Sequence, residues 1–393
     1  MVAAAERMSP EFAVGALVHD RDGTFAVEHL DKLRADRFLV ATLPANFGGG
    51  GVLSAHDLVV AMSRLARTDA STAIGVNMHF AVVHNIVRAW SVAVERWDER
   101  RGERLTATLQ AIAEYDLVFA TAASEPPPQD LLRPATTATR VTDGWTVSGR
   151  KAFATMSRHA SMLNVAVTFV DGRGDARYGF ASIPATSEGV VFEDDWDALG
   201  MRASASGSVT FRQVHVADGM LADTAPAGVW SAPLLDRYLL SGALHASASL
   251  GIAEGAHAEI VARLQGRPHA LADAFVTTEL AANVVDLTAM RATLGHAGRQ
   301  IDRYLARYPM GDASLAAAQQ VTAEVQAAKA FLNQTSVRVV DRALALSGGA
   351  GYRAADPLAK AWRDVRAGAF MHPTGANRVA PLLAGAALGE AAA

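Results

Sequence analysis

The hydrophobic periodicity of this chain switches twice, and that double switch restricts the fold more than any other feature. From about residue 11 to 115 the apolar residues recur at helical spacing. Leu30, Leu33, Phe38 and Leu39 mark one segment, Leu58, Met62 and Leu65 a second over 57–66, and a long apolar run covers 73–90. Between the first two, Leu43 to Gly51 holds a proline and four glycines and must be a loop. The charged stretch 98–104 reads as a solvated helix end or loop. Near Leu117 the texture becomes short apolar runs separated by turns. Strands are expected over 117–124, 163–169, 178–183, 189–192 and 209–216. A hairpin is expected over 138–147, closed by Asp143-Gly144, a pair suited to a two-residue turn. From Leu234 the pattern is helical again and alanine-rich, with long segments over 250–264, 270–305, 314–346 and 357–369. No repeat is apparent. The expectation is an α+β chain in three parts: an all-α domain over 1–116, a β-barrel or sandwich over 117–225, and a four-helix bundle over 226–393.

Composition narrows the function. A chain of 393 residues that is 50% hydrophobic can bury a sizeable core. With 36 basic against 40 acidic residues, a net of −4, it lacks the basic excess that nucleic acid demands. The absence of cysteine excludes disulfides, thiolate metal sites and a cysteine nucleophile. Twelve histidines invite a metal reading, but none pairs with another at helical ligand spacing beside an acid, so no metal is expected. His79, within Asn77-Met78-His79, could be a pocket contact or a satisfied core histidine. No uninterrupted apolar window approaches the roughly 18 residues of a membrane span, and the first ten residues have no apolar signal core. A cytoplasmic protein with no membrane span is expected.

Five local segments carry chemistry. They are Pro44 to Gly51; Ala123-Ser124-Glu125-Pro126; Gly149-Arg150-Lys151-Ala152-Phe153-Ala154-Thr155; Ala198 to Ser204; and Gly348-Gly349-Ala350-Gly351, followed by Trp362-Arg363-Asp364. In this order and at these distances, over nearly the whole chain, they resemble the acyl-CoA dehydrogenase superfamily of flavoproteins. The resemblance implies FAD between the β-domain and the C-terminal bundle, shared across a subunit interface in a homotetramer or homodimer. It implies that Ala123 and Ser124 meet the flavin, that Phe153 and Thr155 lie against its ring, and that Arg263, Gly348, Gly349 and Gly351 serve its pyrophosphate. The physics agrees, because a pyrophosphate needs backbone N–H donors and close approach, which glycine permits. Taken alone, the same glycines could simply let helices pack.

The departures from the family bear on the reaction. Family dehydrogenases use a glutamate to remove an α-proton from an acyl thioester while the flavin takes the β-hydride. Counting eight residues from Asp364 reaches His372, not glutamate. The alternative family position falls at Ser241, with Asp236 five residues before it. His372 could act as a base near neutral pH, could donate a hydrogen bond to an oxygen at the flavin or substrate, or could be a helix cap ahead of Pro373. Pro126, Pro127 and Pro128 remove three N–H donors from the flavin loop, and no phenylalanine follows Arg263 or Arg267 in the family's register. The first expectation is α,β-dehydrogenation of an acyl thioester, with an electron-transfer flavoprotein as partner. The alternative is a reduced-flavin monooxygenase on the same fold, acting on a small aromatic or polycyclic substrate and served by a flavin reductase. A non-catalytic partner subunit is the third reading.

Overall fold

The structure is a computed structural model that describes residues 1–127, 130–267, 269–371 and 376–388. Helices α1 (Val2–Asp22), α2 (Val27–Ala35), α3 (Ala55–Leu65), α4 (Ala70–Glu95) and α5 (Glu99–Glu114) come first. Helix α1 starts ahead of the expected boundary and contains Pro10. A mid-helix proline removes an N–H and usually marks an end, which conceals this helix from its sequence. Ala5, Met8, Phe12 and Ala16 nonetheless bury one stripe at helical spacing. The charged stretch 98–104 is the start of α5, where the Asp98 side chain caps the Arg101 N–H at 3.2 Å. In the glycine loop, a Cβ on Gly49 would lie 2.1 Å from the Leu43 carbonyl, so only glycine fits there.

Strands β1 (Phe119–Ala122), β2 (Thr137–Val141), β3 (Gly144–Lys151), β4 (Met162–Val170), β5 (Ala176–Pro184), β6 (Val190–Phe192), β7 (Val209–Ala217) and β8 (Leu221–Pro226) follow. All eight join one mixed sheet of order β6-β7-β3-β2-β4-β5-β8, with β1 parallel to β4 beside β2. The central layer is therefore one continuous hydrogen-bonded sheet. The β2–β3 hairpin pairs Val141 with Gly144, so Thr142 and Asp143 form its loop, one residue earlier than expected. Gly144 is needed elsewhere: a Cβ there would sit 2.3 Å from the Val216 carbonyl on β7. Strand β8 went unforeseen because it buries only Ala225 and shows no alternation.

Helices α6 (Ala232–Gln265), α7 (Ala274–Arg307), α8 (Leu315–Ser347), α9 (Pro357–Asp364) and α10 (Ala376–Leu388) complete the chain. Helix α6 begins at Ala232, two residues ahead of Leu234, where the helical pattern resumes, and runs unbroken through the expected 250–264 segment. A single core joins the two helical regions, with Leu58, Met62 and Phe80 clustered with Leu239, Leu244 and Leu332. The sheet holds a separate core around Val147, Leu163, Val165 and Phe211. The site lies where these two bodies meet.

Candidate active site

A cavity of about 700 Å³ opens between the sheet, α4, the start of α6 and the segment after α9, a size suited to a cofactor or small ligand. Its sheet wall is built by the ends of β1 and β3. Ala123 and Ser124 follow β1, Phe153 and Thr155 follow β3, and all four line the cavity. A buried ion pair holds these ends together. The Glu125 carboxylate accepts from the Ala135 and Thr136 N–H groups at 2.7 and 2.8 Å, and from Lys151 Nζ at 2.7 Å. The Ala152 N–H donates to the Ser124 carbonyl at 2.9 Å. Burial pushes the Lys151 ammonium down to about 8, against the pull of Glu125. Burial acts to raise the Glu125 carboxyl, but Lys151 and the two N–H groups hold it below the usual range. The charged residues of two sequence segments are thus partners, and their pairing sets Ser124 beside Phe153.

Phe153 has φ +52° and is 66% exposed, with its ring edge-on to Trp196 at 6.1 Å. A positive φ at an aromatic residue is strained and persists where the surroundings impose it. The Ala154 N–H on the Gly207 carbonyl at 3.1 Å is part of that constraint. Thr155 ends a hydroxyl chain. Ser206 donates to Thr155 Oγ1 at 2.9 Å, so the Ser204–Ser206 contact at 2.7 Å runs from Ser204. Thr155 thereby has its own proton to direct into the cavity. An exposed aromatic plate beside hydroxyl donors suits a flat heteroaromatic ring with acceptor atoms, and a flavin fits that description.

The helix wall is fixed by charge. Asp364 accepts from the Met201 N–H at 2.6 Å and from Lys360 Nζ at 2.5 Å, and Arg363 pairs with buried Asp20. These bonds hold the 198–204 loop against α9, where a Cβ on Gly200 would meet the Arg363 carbonyl at 2.3 Å.

The remaining candidates lie elsewhere. Both Asp236 oxygens bind Arg88, at 3.1 and 3.2 Å, and the carboxylate does not line the cavity. Burial raises its pKa against the pull of Arg88. Arg263 pairs with Glu259 at 2.7 Å and Asp356 at 3.1 Å, away from the cavity. Gly348, Gly349 and Gly351 form the turn after α8 and are also outside it. His372 lies outside the described residues. His79 is a core residue: Nε2 donates to the Leu39 carbonyl at 2.7 Å and Nδ1 accepts the Phe119 N–H at 3.3 Å. Sequence reasoning passed over Arg237, which lines the cavity one residue beyond Asp236.

Three families match in chain order. They are the acyl-CoA dehydrogenase N-terminal domain over 3–96, middle domain over 120–214 and C-terminal domain over 243–373. The chain is a member of the acyl-CoA dehydrogenase superfamily. It is a flavoprotein enzyme of that fold. Amino sugar nitrososynthase DnmZ of Streptomyces peucetius is 32% identical over 374 residues, covering 94% of this chain and 88% of that protein. L-evernosamine nitrososynthase of a Micromonospora is 31% identical, covering 97% and 88%. A solved structure of KijD3 with FMN and dTDP-3-amino-2,3,6-trideoxy-4-keto-3-methyl-D-glucose superposes with a TM-score of 0.88 at 29% identity, covering 99% of this chain and 92% of that one.

Within this superfamily member, one property of the cavity bears directly on the reaction. Among its described lining residues there are three arginines, one histidine and no carboxylate.

Proposed function

We propose that this protein is a reduced-flavin-dependent N-oxygenase whose substrate is an amino sugar carried on a nucleoside diphosphate. The carboxylate-free, cationic cavity carries this reading. Removal of an α-proton from a thioester calls for a base that binds the proton as it leaves, which is the work of a carboxylate in the dehydrogenases. None of the described lining residues offers one. The same wall suits an amine. Desolvation and nearby cations both disfavour an ammonium ion, so the substrate nitrogen is held as the free base with its lone pair available.

Ser124, Phe153 and Thr155 would hold the flavin ring. A bound reduced flavin would supply two electrons to dioxygen, one atom of which would go to the substrate nitrogen while the other leaves as water. FMN is favoured over FAD: the glycine turn at 348–351 is not part of the cavity wall, and Pro126 and Pro127 lack donors. The FMN in the KijD3 structure points the same way, and the nitrososynthase relatives favour an amino sugar as substrate. A flavin reductase would supply reduced FMN. His372 is the sequence's candidate for moving a proton.

The test supplies reductase-generated reduced FMN and oxygen with a dTDP-amino sugar, and in parallel mixes oxidised-flavin protein anaerobically with acyl-CoA thioesters. Oxygen-dependent gain of one oxygen atom by the sugar supports the proposal. Bleaching of the flavin by a thioester would overturn it. In His372→Ala the oxygenated product should disappear while flavin still binds.

A further inference from the structure

The three cavity arginines differ in how they are satisfied. Arg363 pairs with Asp20 and donates to the Ala354 carbonyl at 3.4 Å. Arg366 pairs with Asp341 at 2.9 Å, donates to the Trp362 carbonyl at 2.6 Å and stacks over the Trp362 ring at 3.7 Å. Arg237 has neither an ion pair nor a hydrogen bond from its guanidinium among the described residues. Its one contact of this kind is the Phe180 ring, with Cζ 4.1 Å from the centroid.

The setting is nonetheless well fixed. The Arg237 carbonyl accepts from Asn85 Nδ2 at 3.0 Å, which ties this turn of α6 to α4. The neighbouring Tyr238 hydroxyl meets the Tyr178 hydroxyl at 2.6 Å. The guanidinium therefore lies over an aromatic face, and no described residue takes its N–H groups. Burial pushes its pKa down to about 10, so it is still a cation at neutral pH. An uncompensated charge in a low-dielectric site is unfavourable unless a ligand completes it. A planar fork with free N–H edges matches a phosphate, which it can grip through two parallel hydrogen bonds.

We propose that Arg237 is the phosphate anchor of the cavity, binding the oxyanion of a phosphate ester from the wall shared by α4, β5 and α6. The proposal rests on the oxygenase reading for its first source, the substrate's diphosphate; the phosphate of FMN is the second. The two arms of the test separate them.

Dissociation constants for dTDP against thymidine, and for FMN against riboflavin, are measured on the full chain and on Arg237→Met. The unbranched methionine stem keeps a contact with Phe180. If the substrate diphosphate sits on Arg237, the variant binds dTDP roughly tenfold to a hundredfold more weakly, with thymidine and both flavins unchanged. If the flavin phosphate sits there, FMN falls to the affinity of riboflavin and dTDP is unchanged. Either result upholds the anchor and names its source. Four unchanged constants overturn it.

A wild-type protein that does not bind dTDP overturns the nucleotide-sugar reading alone, and the FMN-to-riboflavin ratio still decides the anchor. A ligand-free melting temperature supplies the structural control. Arg237 has no polar partner to lose from its guanidinium among the described residues, so Arg237→Met melts at or above the wild-type temperature. A fall of several degrees would mark a structural residue and defeat the proposal. Arg237→Lys should recover part of the phosphate affinity as a point charge without the fork.

Discussion

The two walls of the cavity solve the same problem with opposite chemistry. The sheet wall presents neutral groups: an exposed aromatic plate at Phe153 and hydroxyls at Ser124 and Thr155. Its charges, Glu125 and Lys151, are buried behind the wall and bind each other. The helix wall brings charge to the surface of the cavity, with Arg363 and Arg366 paired and Arg237 unpaired among the described residues. The difference assigns a division of labour. On the proposed oxygenase reading, neutral donors and stacking would hold the ring that reacts with oxygen, and a cation would hold an anionic handle. The sharpest way to break this comparison is at the buried pair. Glu125→Ala leaves the fully buried Lys151 without its carboxylate, and removing one partner of such a pair costs about 3–5 kcal/mol. A large drop in thermal midpoint is expected, together with loss of flavin binding. If the pair acts only by mutual satisfaction, Glu125→Leu combined with Lys151→Met recovers much of the stability. A single variant that melts like the wild type would show that the sheet wall does not depend on the pair.

The helix wall has its own dependence, which pH exposes. His79 and His84 are both buried on α4, which lines the cavity, and burial pushes each imidazole down to about 4. Nε2 of His84 meets the Leu53 carbonyl at 3.1 Å, as Nε2 of His79 meets that of Leu39. In the unfolded chain each titrates near its ordinary value of 6.5. Between these limits the unfolded state binds more protons, so stability falls as the solution is acidified from about 6.5 towards 4. Above that window the two residues contribute no pH dependence. Each contributes up to about 3 kcal/mol of the loss. Urea unfolding at a series of pH values measures it, and a flat profile through the window would mean that α4 accommodates both charges.

The sequence made the sheet wall legible and left the helix wall obscure, for a physical reason. Ser124, Phe153 and Thr155 sit in short local segments whose order and composition repeat a family pattern, so they could be read one segment at a time. The Glu125–Lys151 pair was in plain view within those segments, but nothing in a linear chain says that two charges 26 residues apart share one buried site. Arg237 lies in the first turns of α6, beside an aspartate that looked more reactive. Only the structure shows that Asp236 is saturated by Arg88 while its neighbour is not. The three-part order of the fold followed from periodicity alone. The helix start at Val2 did not, because Pro10 interrupts that helix.

Two smaller changes sharpen the comparison on the sheet side. Phe153→Ala removes a ring that is mostly exposed, so the melting temperature should stay within about a degree while flavin affinity falls several-fold. Stacking of this kind contributes about 0.5–1.5 kcal/mol beyond area. A parallel loss of stability would instead make Phe153 a packing residue whose strained backbone supports Trp196. Ser206→Ala is subtler, because Ser206 touches no cavity ligand through its donated proton: it donates to Thr155 at 2.9 Å and fixes which way the Thr155 proton points. Without that donor the Thr155 hydroxyl can turn and donate elsewhere, and one neutral hydrogen bond of about 1 kcal/mol is weakened. The expected outcome is a flavin dissociation constant raised roughly fivefold or less, the same in Thr155→Val and not further raised in the double variant. Effects that add in the double variant would show that the two hydroxyls act separately and that no relay reaches the cavity.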